Sequence, residues 1–146
     1  MKSILKKYKY KLLFIIAGAV VIAIIFALFS VDSAANRRNI DFISSFGWEV
    51  DDSPVNISHL TVPEDLSGVY FTHSIISAID GSSIANYCGK NVTRYSYRVL
   101  NHQGSDNGKI RADVFVYKSE IIAADITDVS MGGALTPISD ISLIAD

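Results

Sequence analysis

Val92-Thr-Arg-Tyr-Ser-Tyr-Arg-Val-Leu-Asn101 and Ile110-Arg-Ala-Asp-Val-Phe-Val-Tyr-Lys118 decide the fold. Both runs alternate apolar and polar residues with period two, and the polar stretch between them contains Gly104, Asn107 and Gly108, so together they read as an antiparallel hairpin. Setting Asn101 opposite Ile110 gathers Tyr95, Tyr97 and Val99 on one face with Val116, Val114 and Ala112, and sets Arg98 opposite Asp113 on the other. A slip of one residue would mix the two faces, so only registers of this parity keep the apolar set together.

Downstream of the hairpin, Lys118-Ser119 is a two-residue turn into a strand over Ile121–Ile126, where simple alternation places Asp125 on the face of Ala112 and Val114. Upstream, Val55–Val62 alternates as a further strand. Pro63-Glu64-Asp65 then opens a helix whose apolar positions, Leu66, Val69, Tyr70, Ile76 and Ile79 together with His73, recur at spacings of three and four until Gly81. A shorter helix precedes these elements: Ile40, Ile43 and Phe46 share one face, and Gly47 supplies a left-handed cap. The expected domain is α+β, an antiparallel sheet of about four strands with one or two packed helices over residues 36–130, followed by an irregular tail over 131–146.

The N-terminal part is of another kind. Leu12–Phe29 contains no charge, and its 13 Leu, Ile, Val and Phe residues favour insertion by roughly 6 kcal/mol on a translocon scale. Eighteen helical residues rise about 27 Å, close to the thickness of a hydrocarbon core. Lys2, Lys6, Lys7, Lys9 and Lys11 lie before this run, so its start is expected on the cytoplasmic side. The expected organisation is a basic cytoplasmic segment over 1–11, a transmembrane helix over 12–29 seated in the lipid bilayer, a linker over 30–35 and an extracytoplasmic domain. The alternative is a signal cleaved near Ala35, after the small residues Ser33-Ala-Ala, which would leave a secreted domain. Ala19, Ala23 and Ala27 form a small-residue stripe that suits a helix-mediated homodimer.

Residues 36–146 carry 8 basic and 14 acidic side chains. That balance argues against nucleic acid as a partner, since phosphate binding draws on clustered Lys and Arg. Cys88 is the sole cysteine, so no intramolecular disulfide can form and stability must come from packing.

Several stretches carry a family resemblance: Ile40-Asp-Phe-Ile-Ser-Ser-Phe-Gly-Trp-Glu-Val50, Tyr87-Cys-Gly-Lys90, Arg94-Tyr-Ser-Tyr97, Val114-Phe-Val-Tyr117 and Ala124-Asp-Ile126. The chain resembles the bacterial domain-of-unknown-function family 4830 over most of residues 36–130. The resemblance implies a domain behind a single membrane helix or export signal in Gram-positive bacteria, and it brings no activity with it. The family pattern has paired glycines before the last Asp, where this chain has Ala123 and Ala124.

The candidates for chemistry are few. His59, His73 and His102 lack metal-ligand spacing, and the aspartates do not form a calcium loop, so no metal and no cofactor are expected. No G-x-S-x-G elbow occurs. Arg94, Arg98 and Arg111 share a sheet face with Asp113 and Tyr117, where a guanidinium fork could hold an anion or a peptide carboxylate, and cross-strand charge pairing is the plainer reading. Asp125, on an apolar face, needs a partner or a raised pKa. The leading functional expectation is a non-catalytic module of the cell envelope that binds a protein or peptide. The alternatives are a small hydrolase using Asp125, with a cleft around that residue, and a membrane-tethered small-ligand sensor.

Overall fold

The computed structural model describes residues 15–22, 33–79 and 81–145, and the chain divides into two units, Met1–Ala35 and Asn36–Asp146. In the first, residues 15–22 are helical; the rest of the expected 12–29 span lies outside the described residues. Among the described residues no helix is long and apolar enough to cross a membrane.

The second unit holds a five-stranded antiparallel sheet in sequential order: β1 (Asn56–Thr61), β2 (Asn91–Arg98), β3 (Ile110–Tyr117), β4 (Glu120–Asp128) and β5 (Leu135–Pro137). Two helices accompany it, α1 (residues 33–45) and α2 (Val69–Ile76), with three short 3-10 turns. The α+β expectation stands, with a correction of four strands to five. Three residues of the tail expected to be irregular form β5, and Ile138 behind it is buried. Its carbonyl accepts a 2.7 Å hydrogen bond from Trp48 Nε1. Residues 135–138 thus pack with the domain, and Trp48 secures them. A three-residue strand is too short to show a period in sequence.

The β2–β3 hairpin forms with the expected parity but two residues out of the expected register. Tyr95 faces Val114, Tyr97 faces Ala112, and Arg98 faces Arg111 rather than Asp113, which pairs with Ser96. Parity decides the faces, so the apolar set is preserved: Tyr97, Val99, Ala112 and Val114 form the main core with Ile43 of α1, Trp48 and Ile126. Asn39 donates to the Tyr97 hydroxyl at 3.2 Å and that hydroxyl donates to Asn36 at 2.9 Å, which fastens α1 to the sheet. Helix α1 shows the expected apolar face and ends as expected, with Gly47 at a φ of +89°.

One irregularity matters most. The β3–β4 register shifts between Phe115 and Val116, so that Phe115 faces Ala123 while Val116 faces Ile121. Ile122 is therefore an extra residue, a β-bulge that reverses the alternation of everything after it. Asp125 is carried off the face of Ala112 and Val114, where plain alternation puts it, and lands directly opposite Asp113 on the second face. That face has its own smaller core of Val62, Ile84, Val92, Phe115, Ile122 and Ala123.

Helix α2 lies over this second face and is shorter than the spacing suggests. Gly68, at a φ of +58°, holds the chain out of helical conformation until Val69, so Pro63-Glu64-Asp65 does not open the helix. Its orientation also departs from the pattern. Ser74 and Ser77 are buried, whereas Tyr70, Phe71 and Ile75 are each more than half exposed. Three hydrogen bonds favour this arrangement. The Ser74 and Ser77 hydroxyls donate back to the carbonyls of Phe71 and His73, which makes them tolerable inside. The Ser77 carbonyl accepts the Ala124 N–H at 2.9 Å, just beyond the point where β5 stops pairing with β4.

Candidate functional site

The Ser77–Ala124 hydrogen bond sets α2 against β4, and one turn earlier on the helix His73 lies over the sheet. Its Nε2 is 3.4 Å from Asp125 Oδ2, and its ring meets Phe115 edge-on at 5.6 Å between centroids. Beside Asp125, across the β3–β4 pair, is Asp113, and 3.9 Å from Asp113 Oδ2 is Arg94 Nη1 from β2. Three strands and one helix thus bring two carboxyls, an imidazole and a guanidinium together under α2.

This cluster is buried and incompletely paired. Asp125 is fully inaccessible and Asp113 is 6 % exposed. Thr127 donates to Asp125 Oδ1 at 2.8 Å, while Asp125 Oδ2, Asp113 Oδ1 and Arg94 Nε have no hydrogen-bond partner. Buried polar atoms are nearly always paired, and half of the orphans among the described residues gather in this one cluster, the others being Arg38 Nε, Asn39 Oδ1 and Ser58 Oγ.

Desolvation governs the charges. It pushes the Asp125 carboxyl up to about 7, the nearby Asp113 pushes the same way, and the Thr127 hydrogen bond and Arg94 pull against them. Asp113 is also raised, chiefly by burial and against the pull of Ser96, Arg94, His73 and Arg111. Burial lowers His73, with Asp113 opposing. The 3.4 Å approach of His73 to Asp125 has the geometry of an ion pair, yet burial favours the neutral form of each.

At His73 and Arg94 the cluster adjoins a groove. This groove of about 380 Å³ runs between the end of β1 and α2, lined by the apolar Leu60, Val62, Leu66, Ile84 and Phe115, with Tyr70 at its lip; His73 and Arg94 are its polar end. A concave apolar surface with a few convergent polar groups is the usual form of a binding site.

Of the residues singled out in the sequence, the structure brings together Arg94, Asp113 and Asp125. Arg98 turns to the surface, where Asp51 accepts from its Nε at 2.8 Å and its Nη2 at 3.0 Å. Arg111 Nη1 donates to the Gly108 carbonyl at 2.6 Å, so its guanidinium serves the hairpin loop. Tyr117 packs on Tyr87 and beneath Lys118. His73 is the member that alternation and spacing missed as part of the site, because nothing local signals the bulge that moves Asp125 to meet it. Among the described residues no group of three or more His, Cys, Asp or Glu side chains is placed to hold a metal ion.

A family model described as a domain of unknown function, DUF4830, matches residues 42–126. The chain belongs to this family. The DUF4830 match runs from the second half of α1 to Ile126, so His73, Arg94, Asp113 and Asp125 all lie inside it, as does the bulge at Ile122. No curated protein and no solved structure matches the chain. Ala123 and Ala124 are fully buried, one in each core. The Ala124 N–H is the group that anchors α2.

Proposed function

We propose that this DUF4830 domain is a non-catalytic recognition module of the bacterial cell envelope, held outside the cytoplasmic membrane by residues 12–29, and that it binds a peptide segment of a partner in the groove between β1 and α2. The observation that carries this reading is the groove itself, apolar over most of its lining and continuous with a helix that turns Tyr70, Phe71 and Ile75 outward. Solvent-facing aromatic and aliphatic side chains beside a concave apolar surface are a mark of partner contact.

The hydrolase alternative gains little. The cleft it requires exists, but Asp125 is fully buried behind His73 and offers no oxygen to a bound substrate. The Ser74 and Ser77 hydroxyls of the same helix are committed to backbone carbonyls and the Thr127 hydroxyl to Asp125, so none of the three is set up as a nucleophile for the imidazole.

The test is a photo-crosslinking residue placed in the full chain, in its native membrane, at Leu66 or Tyr70 in the groove and at Met131 as a control. Met131 is fully exposed and does not line the groove. Adducts of defined mass at Leu66 and Tyr70, lost on Leu60→Arg, are expected. Equal crosslinking at Met131, or none at the groove positions, would overturn the reading.

A further inference from the structure

We propose that the groove is a receptor for a free peptide carboxy terminus, with Arg94 and His73 taking the terminal carboxylate and the surrounding apolar lining taking the last side chain. The proposal rests on the groove being a recognition site and names what it recognises. Arg94 lines the groove with its side chain 37 % exposed; its Nε is buried without a partner, and Asp113, its ion-pair neighbour among the described residues, is 3.9 Å away, which leaves the guanidinium end to face the groove. A guanidinium with donors to spare in an apolar surround is a fork for a planar anion, and a carboxylate can accept two parallel N–H bonds from it. His73 supplies a second donor at the same end. Leu60, Val62, Ile84 and Phe115 would enclose an aliphatic or aromatic terminal side chain.

The occupant is a peptide rather than a plain aliphatic acid because of where the groove lies. β1 is an edge strand that pairs only with β2 on its inner side, and Leu60, Thr61 and Val62 of its final stretch form one wall. An extended chain entering there runs along the outer edge of β1, which ends at Thr61 because the Val62 N–H and carbonyl are already bonded to Lys90 and Gly89, and unpaired edge backbone is the basis of strand addition. A hydrocarbon tail would leave those groups unused.

The experiment uses the full chain in detergent micelles and a pooled set of labelled hexapeptides with randomised leading positions and Val, Leu or Phe last, each as free acid and as carboxamide, read by fluorescence anisotropy. The free acids are expected to bind at least about tenfold tighter than the amides. Arg94→Gln should erase the difference, Arg94→Lys should restore part of it, and His73→Gln should narrow it; circular dichroism checks that each variant is folded. Equal binding of acid and amide, both abolished by Leu66→Glu, would overturn the carboxylate inference and leave the groove reading standing. Binding of dodecanoate with no peptide binding would overturn the peptide as occupant. No binding of any probe at millimolar concentration would overturn both.

Discussion

Asp125 keeps a proton in the folded chain that it gives up when the chain unfolds. Its carboxyl stands near 7 in the native state against an ordinary 3.8. Between those values the native form binds more protons, so stability is greatest at the acidic end and falls as pH rises, by about 4 kcal/mol in total for a shift of this size. His73 works in the opposite sense, since its lowered pKa makes stability rise with pH up to about 6.5. The carboxyl has the larger shift, so the midpoint of urea unfolding should be lower at pH 8 than at pH 5. Asp125→Asn keeps the Thr127 hydrogen bond and removes the carboxyl; most of that fall should vanish, and the variant should be the more stable protein at pH 8. An unchanged fall in the variant would show that Asp125 is ionised in the native state. A pairing requirement for Asp125 is legible in the sequence, because an aspartate set among alternating apolar residues must be either neutral or partnered. The identity of its neighbours is not, because that depends on one extra residue in β4.

Strands and turns are more legible than helices here. The hairpin strands show themselves by period and β-branched content, and their parity follows from the apolar face alone. Their register does not, because a shift of two residues leaves every side chain on its own face. The bulge at Ile122 is hidden for a related reason, since Ile121, Ile122 and Ala123 are all apolar and fit either face. Helix α2 misleads only in part: Leu66, His73 and Ile79 of its expected stripe face inward, but Tyr70 is exposed and Ser74 and Ser77, which the stripe leaves out, are buried. The turn between β3 and β4 holds Lys118 and Ser119 at positive φ, +45° and +71°. Both strain a side-chain-bearing residue, and a two-residue hairpin of this kind prefers Asn-Gly. Replacing the pair by Lys118→Asn and Ser119→Gly should raise stability by about 1–2 kcal/mol in urea unfolding. At the other end of the sheet, Trp48→Phe removes the donor that holds the Ile138 carbonyl. It should cost about 1–3 kcal/mol in the same assay and increase proteolysis in the tail first. A neutral result would mean that residues 135–138 hold without Trp48.

At the scale of the whole molecule, an apolar N-terminal segment precedes an acidic domain that carries the groove between β1 and α2. The full chain should stay in the membrane pellet through alkaline carbonate extraction, and protease added to intact protoplasts should digest residues 36–146. Release by carbonate would exclude the tether; protection from protease would reverse the orientation. Neither outcome bears on which face of the domain binds, and that is the central claim. The direct test is a 1H–15N correlation spectrum of the isotopically labelled full chain, titrated with a hexapeptide ending in Val-Leu as the free acid. The account predicts that the resonances of Leu60, Val62, Leu66, Tyr70 and Phe115 and the Arg94 side-chain Nε–H move together and saturate, while those of Ile43, Trp48 and Asn39 on the α1 side stay in place. Shifts centred on α1 and Trp48, with the β1–α2 groove unmoved, would contradict it.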